Sequence, residues 1–262
     1  MLIKANGIQM NCELSRKRDA PVVMLSHSLG ANLLMWNPQM SALESHFRVL
    51  RYDIRGHGES DAPKGPYTLH LLGEDVVGLL DVLGIKKMHF VGLSMGGMIG
   101  QHVALNHPDR LLSLVLCDTS SMMPKESQPT IQERIDTARR QGMQALVAPT
   151  LERWFTPSFL TKKSEMLDLI RKQLLATSVE GYVGCSEAIR TLNYLERLGE
   201  IRVSTLIIVG EDDPGTPVAA AQAMHERIRK STLVVLPSAQ HLSNVEQPEA
   251  FNAALLGFLR DL

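Results

Sequence analysis

The stretch that most constrains this chain is Gly92-Leu93-Ser94-Met95-Gly96, because of what stands on either side of it. Lys87 to Val91 is a short run of buried-strand character, and Met95 to His107 carries apolar residues at helical spacing until Pro108 stops it. Ser94 is therefore predicted to occupy a strand-to-helix turn. Glycine on each side admits a tight bend, which pushes the serine hydroxyl out at the end of a sheet strand. The pentapeptide alone recurs by chance, so its flanks make Ser94 a candidate nucleophile.

The rest of the chain supplies the sheet that such a turn needs. Residues 1 to 14 alternate loosely about Asn6-Gly7, a hairpin signal. Strand-like runs follow at Val22 to His27, Phe47 to Asp53, Leu111 to Cys117, Thr205 to Gly210 and Thr232 to Leu236. They alternate with helical patterns over Thr68 to Leu83, Val218 to Arg229 and Pro248 to Leu262. Such alternation predicts an α/β fold with a mostly parallel sheet and helices on both faces. From about residue 124 to 198 the pattern is helical and amphipathic, with breaks expected at Pro149, Pro157 and Gly181-Tyr182. The predicted organisation is a core of residues 1–121 and 199–262, interrupted by a helical cap over 122–198.

With 262 residues the chain can bury a sizeable core, and its net charge of −1 with no basic stripe predicts no attraction to nucleic acid or anionic membrane. The N-terminal stretch lacks a secretory pattern and no apolar run has membrane-spanning length, so a cytoplasmic protein is expected. Cys12, Cys117 and Cys185 are widely separated and read as reduced, packed thiols. The nine histidines show no His-x-x-x-His pair beside a carboxylate, and no metal site is predicted.

A serine needs a base to take its proton and an acid to orient that base. In an open parallel sheet such groups gather in loops beyond the carboxyl ends of strands. His241 lies in such a loop, after the strand ending at Leu236, whereas His102, His107 and His225 fall within or beside helices and read as packed or solvated. For the acid, Glu211, Asp212 and Asp213 follow the strand Thr205 to Gly210, with Asp118 as a rival location after the preceding core strand. An oxyanion formed at Ser94 needs two backbone donors. The N–H groups of Met95 and Leu29 are the candidates, and His27 beside the latter reads as a residue that shapes the loop.

Taken together these residues resemble the α/β-hydrolase superfamily, in which nucleophile, acid and histidine follow in that order. Alignment on Gly210-x-x-Asp213-x-x-x-Pro217 selects Asp213 as the acid. Asp53-x-Arg55-Gly56-His57-Gly58-x-Ser60 is similar to the family's structural turn after the strand beside the elbow. Within the superfamily the chain resembles the 3-oxoadipate enol-lactonases of the β-ketoadipate pathway of aromatic catabolism. The likeness runs through His27 to Asn32 with Met35 to Gln39, the elbow, Glu152-Arg153-Trp154-Phe155-Thr156-Pro157, and Gly181 to Arg190. It departs at His27, where many of these enzymes carry Asn, and at Asn193-Tyr194, where an acidic pair is expected.

This resemblance implies a small lactone or ester substrate bearing a carboxylate, opened by Ser94, His241 and Asp213 with no metal or organic cofactor. A planar Arg fork suits the carboxylate. Arg153 and Arg190 lie in the matching segments, whereas most cap arginines, among Arg134, Arg139 and Arg140, read as solvated. Trp154 is a candidate wall for the lactone ring, and Trp36 is a second. The same triad also fits a general carboxylesterase, a carbon–carbon bond hydrolase of meta-cleavage products, a haloperoxidase-type perhydrolase, or a slow-turnover small-molecule receptor.

Overall fold

A computed structural model describes residues 1–17 and 19–262. Eight strands form one sheet in the order β1-β2-β4-β3-β5-β6-β7-β8. β1 (Leu2–Ala5) and β2 (Ile8–Leu14) make the predicted hairpin, with Asn6 and Gly7 both at positive φ (43° and 82°) as a tight right-twisted turn requires. β2 pairs antiparallel with β4 (Arg48–Tyr52). From β4 onward all pairs are parallel: β3 (Val22–Ser26), β5 (Met88–Leu93), β6 (Leu111–Cys117), β7 (Thr205–Gly210) and β8 (Ser231–Leu236).

Successive side chains on a strand face opposite sides, and both sides are buried here. Val23, Leu25, Val91 and Val115 pack with Leu43 of α1 (Asn37–Glu44) and with Phe251 and Leu255 of α11 (Pro248–Arg260). Met24, Phe90, Leu114 and Ile207 face the other way, toward α2 (Leu69–Val82), α3 (Met95–Asn106) and α9 (Val218–Arg227). Thr68 accepts the Leu71 N–H at the start of α2, and Gly84 at φ 67° follows its end. All three cysteines are buried and free. Among the described residues, no helix is long and apolar enough to cross a membrane.

Between β6 and β7 come five helices: α4 (Gln128–Gln141), α5 (Gln144–Trp154), α6 (Pro157–Leu160), α7 (Glu165–Ala176) and α8 (Val179–Arg190). The two ends of this segment meet where Met122 bridges Asn193 and the Tyr194 N–H donates to Ser121 O at 2.7 Å. Two expected breaks are absent. Pro149 lies inside α5 on an exposed face, where water can serve the carbonyl its missing N–H leaves free. Gly181 and Tyr182 lie inside α8. Glycine is needed at 181 for close approach, because a Cβ there would collide with the backbone of Gly56. The chain breaks instead at Gly142, whose φ of 73° ends α4, and at Thr177-Ser178 between α7 and α8. A last short helix, α10 (Ser243–Glu246), follows β8.

Candidate active site

The turn after β5 is strained in the way its sequence implies. Ser94 has φ 56° and ψ −115°, a conformation that costs a non-glycine residue on the order of 1–3 kcal/mol. Its surroundings impose that shape. The Ser94 N–H donates to Cys117 O at 2.9 Å, and the Thr119 hydroxyl donates to Ser94 O at 2.7 Å. The flanking glycines have ordinary φ but no room: a Cβ on Gly92 would strike Gly96, and one on Gly96 would strike Ser26 O.

The structure brings together Ser94, His241 and Asp213 from the ends of β5, β8 and β7. The Ser94 hydroxyl donates to His241 Nε2 at 2.8 Å, and His241 Nδ1–H donates to Asp213 Oδ2 at 2.8 Å. Asp213 is held in turn by the Thr216 hydroxyl on Oδ2 (2.6 Å) and by the Gly215 and Thr216 N–H groups on Oδ1 (2.8 and 3.1 Å). Glu211 and Asp212 are exposed, and neither caps α9.

Burial opposes charge on both partners of the pair. For Asp213 the neighbouring His241 and the hydrogen bonds from Thr216 outweigh burial and lower its pKa. For His241 the carboxylate of Asp213 outweighs burial and raises it. Asp118, the rival acid, does not touch the imidazole. It accepts the Gly210 N–H at 2.8 Å and the Ser243 hydroxyl at 2.5 Å, tying β7 to the start of α10. Burial, with the charge of Asp213, pushes its carboxyl up to about 8.

Met95 begins α3, so its N–H is one of the donors a helix start leaves without an internal acceptor. Leu29 lines the cavity above Ser94 together with Ser28. The loop carrying Leu29 is fixed by two buried neutral histidines. His27 Nε2 accepts the Ile54 N–H and His57 Nε2 accepts the Gly30 N–H, both at 2.9 Å, while their Nδ1 atoms face the carbonyls of Ser28 and Arg55. Burial lowers them to about 4 and about 3, with His27 also depressing His57. His27 shapes this loop and is not placed to act on Ser94.

Ser94 and His241 open into a cavity of about 350 Å³ roofed by α4, α5 and α8. Trp154 is on its wall, stacked on His241 with ring centroids 6.5 Å apart. Arg153 also lines it, its guanidinium donating only to Pro149 O and Thr150 Oγ1 among the described residues. Burial, together with the charge of Arg134, lowers its pKa to about 10. Arg190 and Trp36 are corrections. Arg190 lies outside the cavity lining, with its guanidinium spent on Gln128, Gln132 and Glu187 at the α4–α8 contact. Trp36 is fully buried against Phe251 in the core.

Three residues were missed from sequence. Arg134 points into the cavity from α4, on the face that buries Ile131, Ile135 and Ala138; the i, i+3, i+4 spacing was the available signal. Thr216 holds Asp213, and nothing in its own residue type marks it. Glu246 accepts the N–H groups of Gln240 (3.0 Å) and Thr156 (3.1 Å), while the Leu242 N–H donates to Trp154 O at 3.2 Å. The Trp154-Phe155-Thr156 segment thus grips the His241 loop on both sides.

A strained serine after a central parallel strand, a histidine and a carboxylate on later strand ends, and helices inserted above them are the features of one fold family. A model of the alpha/beta hydrolase fold matches residues 21–248, and the chain belongs to that family. It is 39% identical to 3-oxoadipate enol-lactonase 2 of Acinetobacter baylyi, across 97% of this chain and 94% of that protein. A putative carbamate hydrolase, RutD, of Caulobacter sp. is 34% identical across 92% of this chain and 91% of its own. Among solved structures, the enol-lactonase from Burkholderia xenovorans LB400 superposes with a TM-score of 0.96 at 39% identity, covering 99% of this chain and 100% of that one.

Proposed function

We propose that this hydrolase opens an enol-lactone carrying a free carboxylate, of the 3-oxoadipate enol-lactone type, to the open-chain oxo acid. The observation that carries the reading is the relay of two 2.8 Å hydrogen bonds from Ser94 through His241 to Asp213, facing a cavity with two arginines. Neither Arg134 nor Arg153 forms an ion pair with a carboxylate among the described residues. Two cations that repel each other and are in no ion pair among the described residues are suited to an anionic ligand. Relatives that are enol-lactonases support the same substrate class.

In this mechanism His241 Nε2 takes the Ser94 proton as Oγ attacks the lactone carbonyl. The oxyanion sits between the Leu29 and Met95 N–H groups, an interaction worth roughly 3–4 kcal/mol per donor. Collapse breaks the ring carbon–oxygen bond and expels an enolate, a good leaving group because its charge is delocalised. It takes the proton held by His241 and becomes the ketone, leaving the imidazole neutral. Water then attacks the acyl-Ser94 ester, giving its proton to His241, which passes it to Ser94 Oγ as the acid leaves. Asp213 keeps the imidazole oriented and stabilises its charged form. The residues 122–198 act as the cap that excludes bulk water, and α4 and α5 present Arg134 and Arg153 to the substrate carboxylate.

The experiment is a steady-state comparison of the purified protein on 3-oxoadipate enol-lactone, a neutral ester of similar size and an N-carboxylated amine. A kcat/KM for the lactone at least 100-fold above both others is expected. A preference for the carbamate, the printed activity of the RutD relative, would overturn the lactone reading while leaving the serine mechanism in place. A single burst per protein molecule would mark a receptor.

A further inference from the structure

No ligand cluster is visible along the sequence, yet two of the nine histidines meet a carboxylate across two helices. His70 and Glu74 stand one turn apart on α2 and His102 faces them from α3. One donor atom from each lies within 4.8 Å of those of the other two. A His-x-x-x-Glu pair supplies two donors and the neighbouring helix the third, so no local motif announces the group.

His102 is 5% exposed, and its Nδ1 is engaged by Tyr194 Oη (2.9 Å) and Asn106 Nδ2 (3.2 Å). Its Nε2 is buried with no partner among the described residues. The Cδ2–Nε2 edge of this ring lies against Gly73, where a Cβ would collide with it, so the unpartnered nitrogen is turned toward the part of α2 that carries His70 and Glu74. Glu74 Oε1 is 2.7 Å from His107 Nε2, an outer hydrogen bond of the kind that orients ligating carboxylates. The nearby Arg197 is paired with Glu200 at 2.9 Å.

We propose that His70, Glu74 and His102 form a binding site for a zinc-class divalent ion that fastens α2 to α3. Two imidazoles and one carboxylate are the donor set that zinc takes, with water in the fourth position, whereas calcium and magnesium prefer all-oxygen sites. Tetrahedral bonds of about 2.0–2.1 Å bring donor atoms to roughly 3.3 Å apart. His70, with a side chain 73% exposed in the first turn of α2, is free to make that movement. None of the three residues lines the cavity above Ser94, and His102 follows Ser94 by about 12 Å along the helix axis. The ion is therefore a staple beside the hydrolytic centre and takes no part in the proposed chemistry.

The test is zinc chloride titrated into the chelator-stripped full chain, with a chromophoric chelator as competitor. One equivalent is expected to bind, and zinc at 100 times its Kd should raise the unfolding midpoint by roughly 5–10 °C. Cobalt in place of zinc should give the visible bands of a four-coordinate ion. His70→Ala alters an exposed side chain, so its fold is safe; it should weaken binding at least tenfold and erase the midpoint shift, as should Glu74→Gln. Circular dichroism and metal-free ester turnover matching the parent would show that a ligand, not the fold, was lost. Absence of zinc binding, or binding unchanged in both variants, would overturn the site.

Discussion

The turn at Ser94 and the helical segment α4–α8 contribute opposite walls of one cavity, yet they are built on different terms. At the turn each requirement is local: a serine at φ 56°, glycines where no Cβ fits, a strand before and a helix after. In α4–α8 the requirement is set by partners distant in sequence. Arg134 and Arg190 are both helix arginines, but one faces the cavity and the other is bound by Gln128, Gln132 and Glu187. The first region can be read from its own residues, whereas the second becomes legible only when the helices are packed.

The sharpest way to break this contrast is at the turn. Ser94→Ala should lower kcat by on the order of 10⁴-fold or more, because the relay loses its nucleophile while the remaining groups only bind and polarise. Circular dichroism and the unfolding midpoint should be close to those of the parent, since the hydroxyl is replaced without new bulk. Activity above a few per cent of the parent would assign the nucleophile to another residue.

The α4–α5 wall predicts a smaller and selective effect. A charge-assisted hydrogen bond contributes about 1.5–3 kcal/mol, so Arg153→Gln or Arg134→Gln should reduce kcat/KM for the carboxylate-bearing lactone roughly 10- to 150-fold. The neutral ester should be affected far less. Equal losses on both substrates would show that these arginines pack the wall and do not read charge.

The two regions also meet electrostatically. As the proposed base, His241 must be neutral, so kcat/KM should fall as pH falls through its pKa, which the Asp213 carboxylate raises above the ordinary 6.5. The positive charge of Arg153 opposes that rise. Removing it in Arg153→Gln should let His241 hold its proton to higher pH and move the acid limb for the neutral ester upward. A limb that stays in place or moves downward would disconnect the helical wall from the relay.

What was legible in the sequence follows the same division. The succession of strands and helices along the chain, the hairpin at Asn6-Gly7 and the loops carrying Asp213 and His241 come from short-range periodicity and from the rule that parallel strands present their carboxyl ends together. Gly181 read as a break because glycine is a poor helix former, but its use is contact between α8 and Gly56, which no local pattern encodes. The His70, Glu74 and His102 group escaped for the same reason, its donors coming from two helices. Trp36 looked like a ring wall through its neighbours in sequence, and the core took it because the helix after the loop carrying Leu29 turns inward toward Phe251.

Arg190 provides the finest test, since it differs from Arg153 in position and not in chemistry. Its guanidinium donates to Gln128 Oε1 at 2.9 Å, Gln132 Oε1 at 2.8 Å and Glu187 Oε2 at 3.1 Å, while its carbonyl accepts from Gln128 Nε2 at 3.0 Å. These bonds join α8 to α4 at a part-buried surface, where a solvated pair contributes about 0–1 kcal/mol and the bonds to glutamine somewhat more. Arg190→Gln should therefore lower the unfolding midpoint by a few degrees and leave KM for the acidic lactone within about twofold of the parent, because α4 retains its apolar contacts through Ile131 and Ile135. A rise in KM comparable to that of Arg153→Gln, with the neutral ester unaffected, would place the Arg190 guanidinium at the substrate and overturn its assignment to the helix contact.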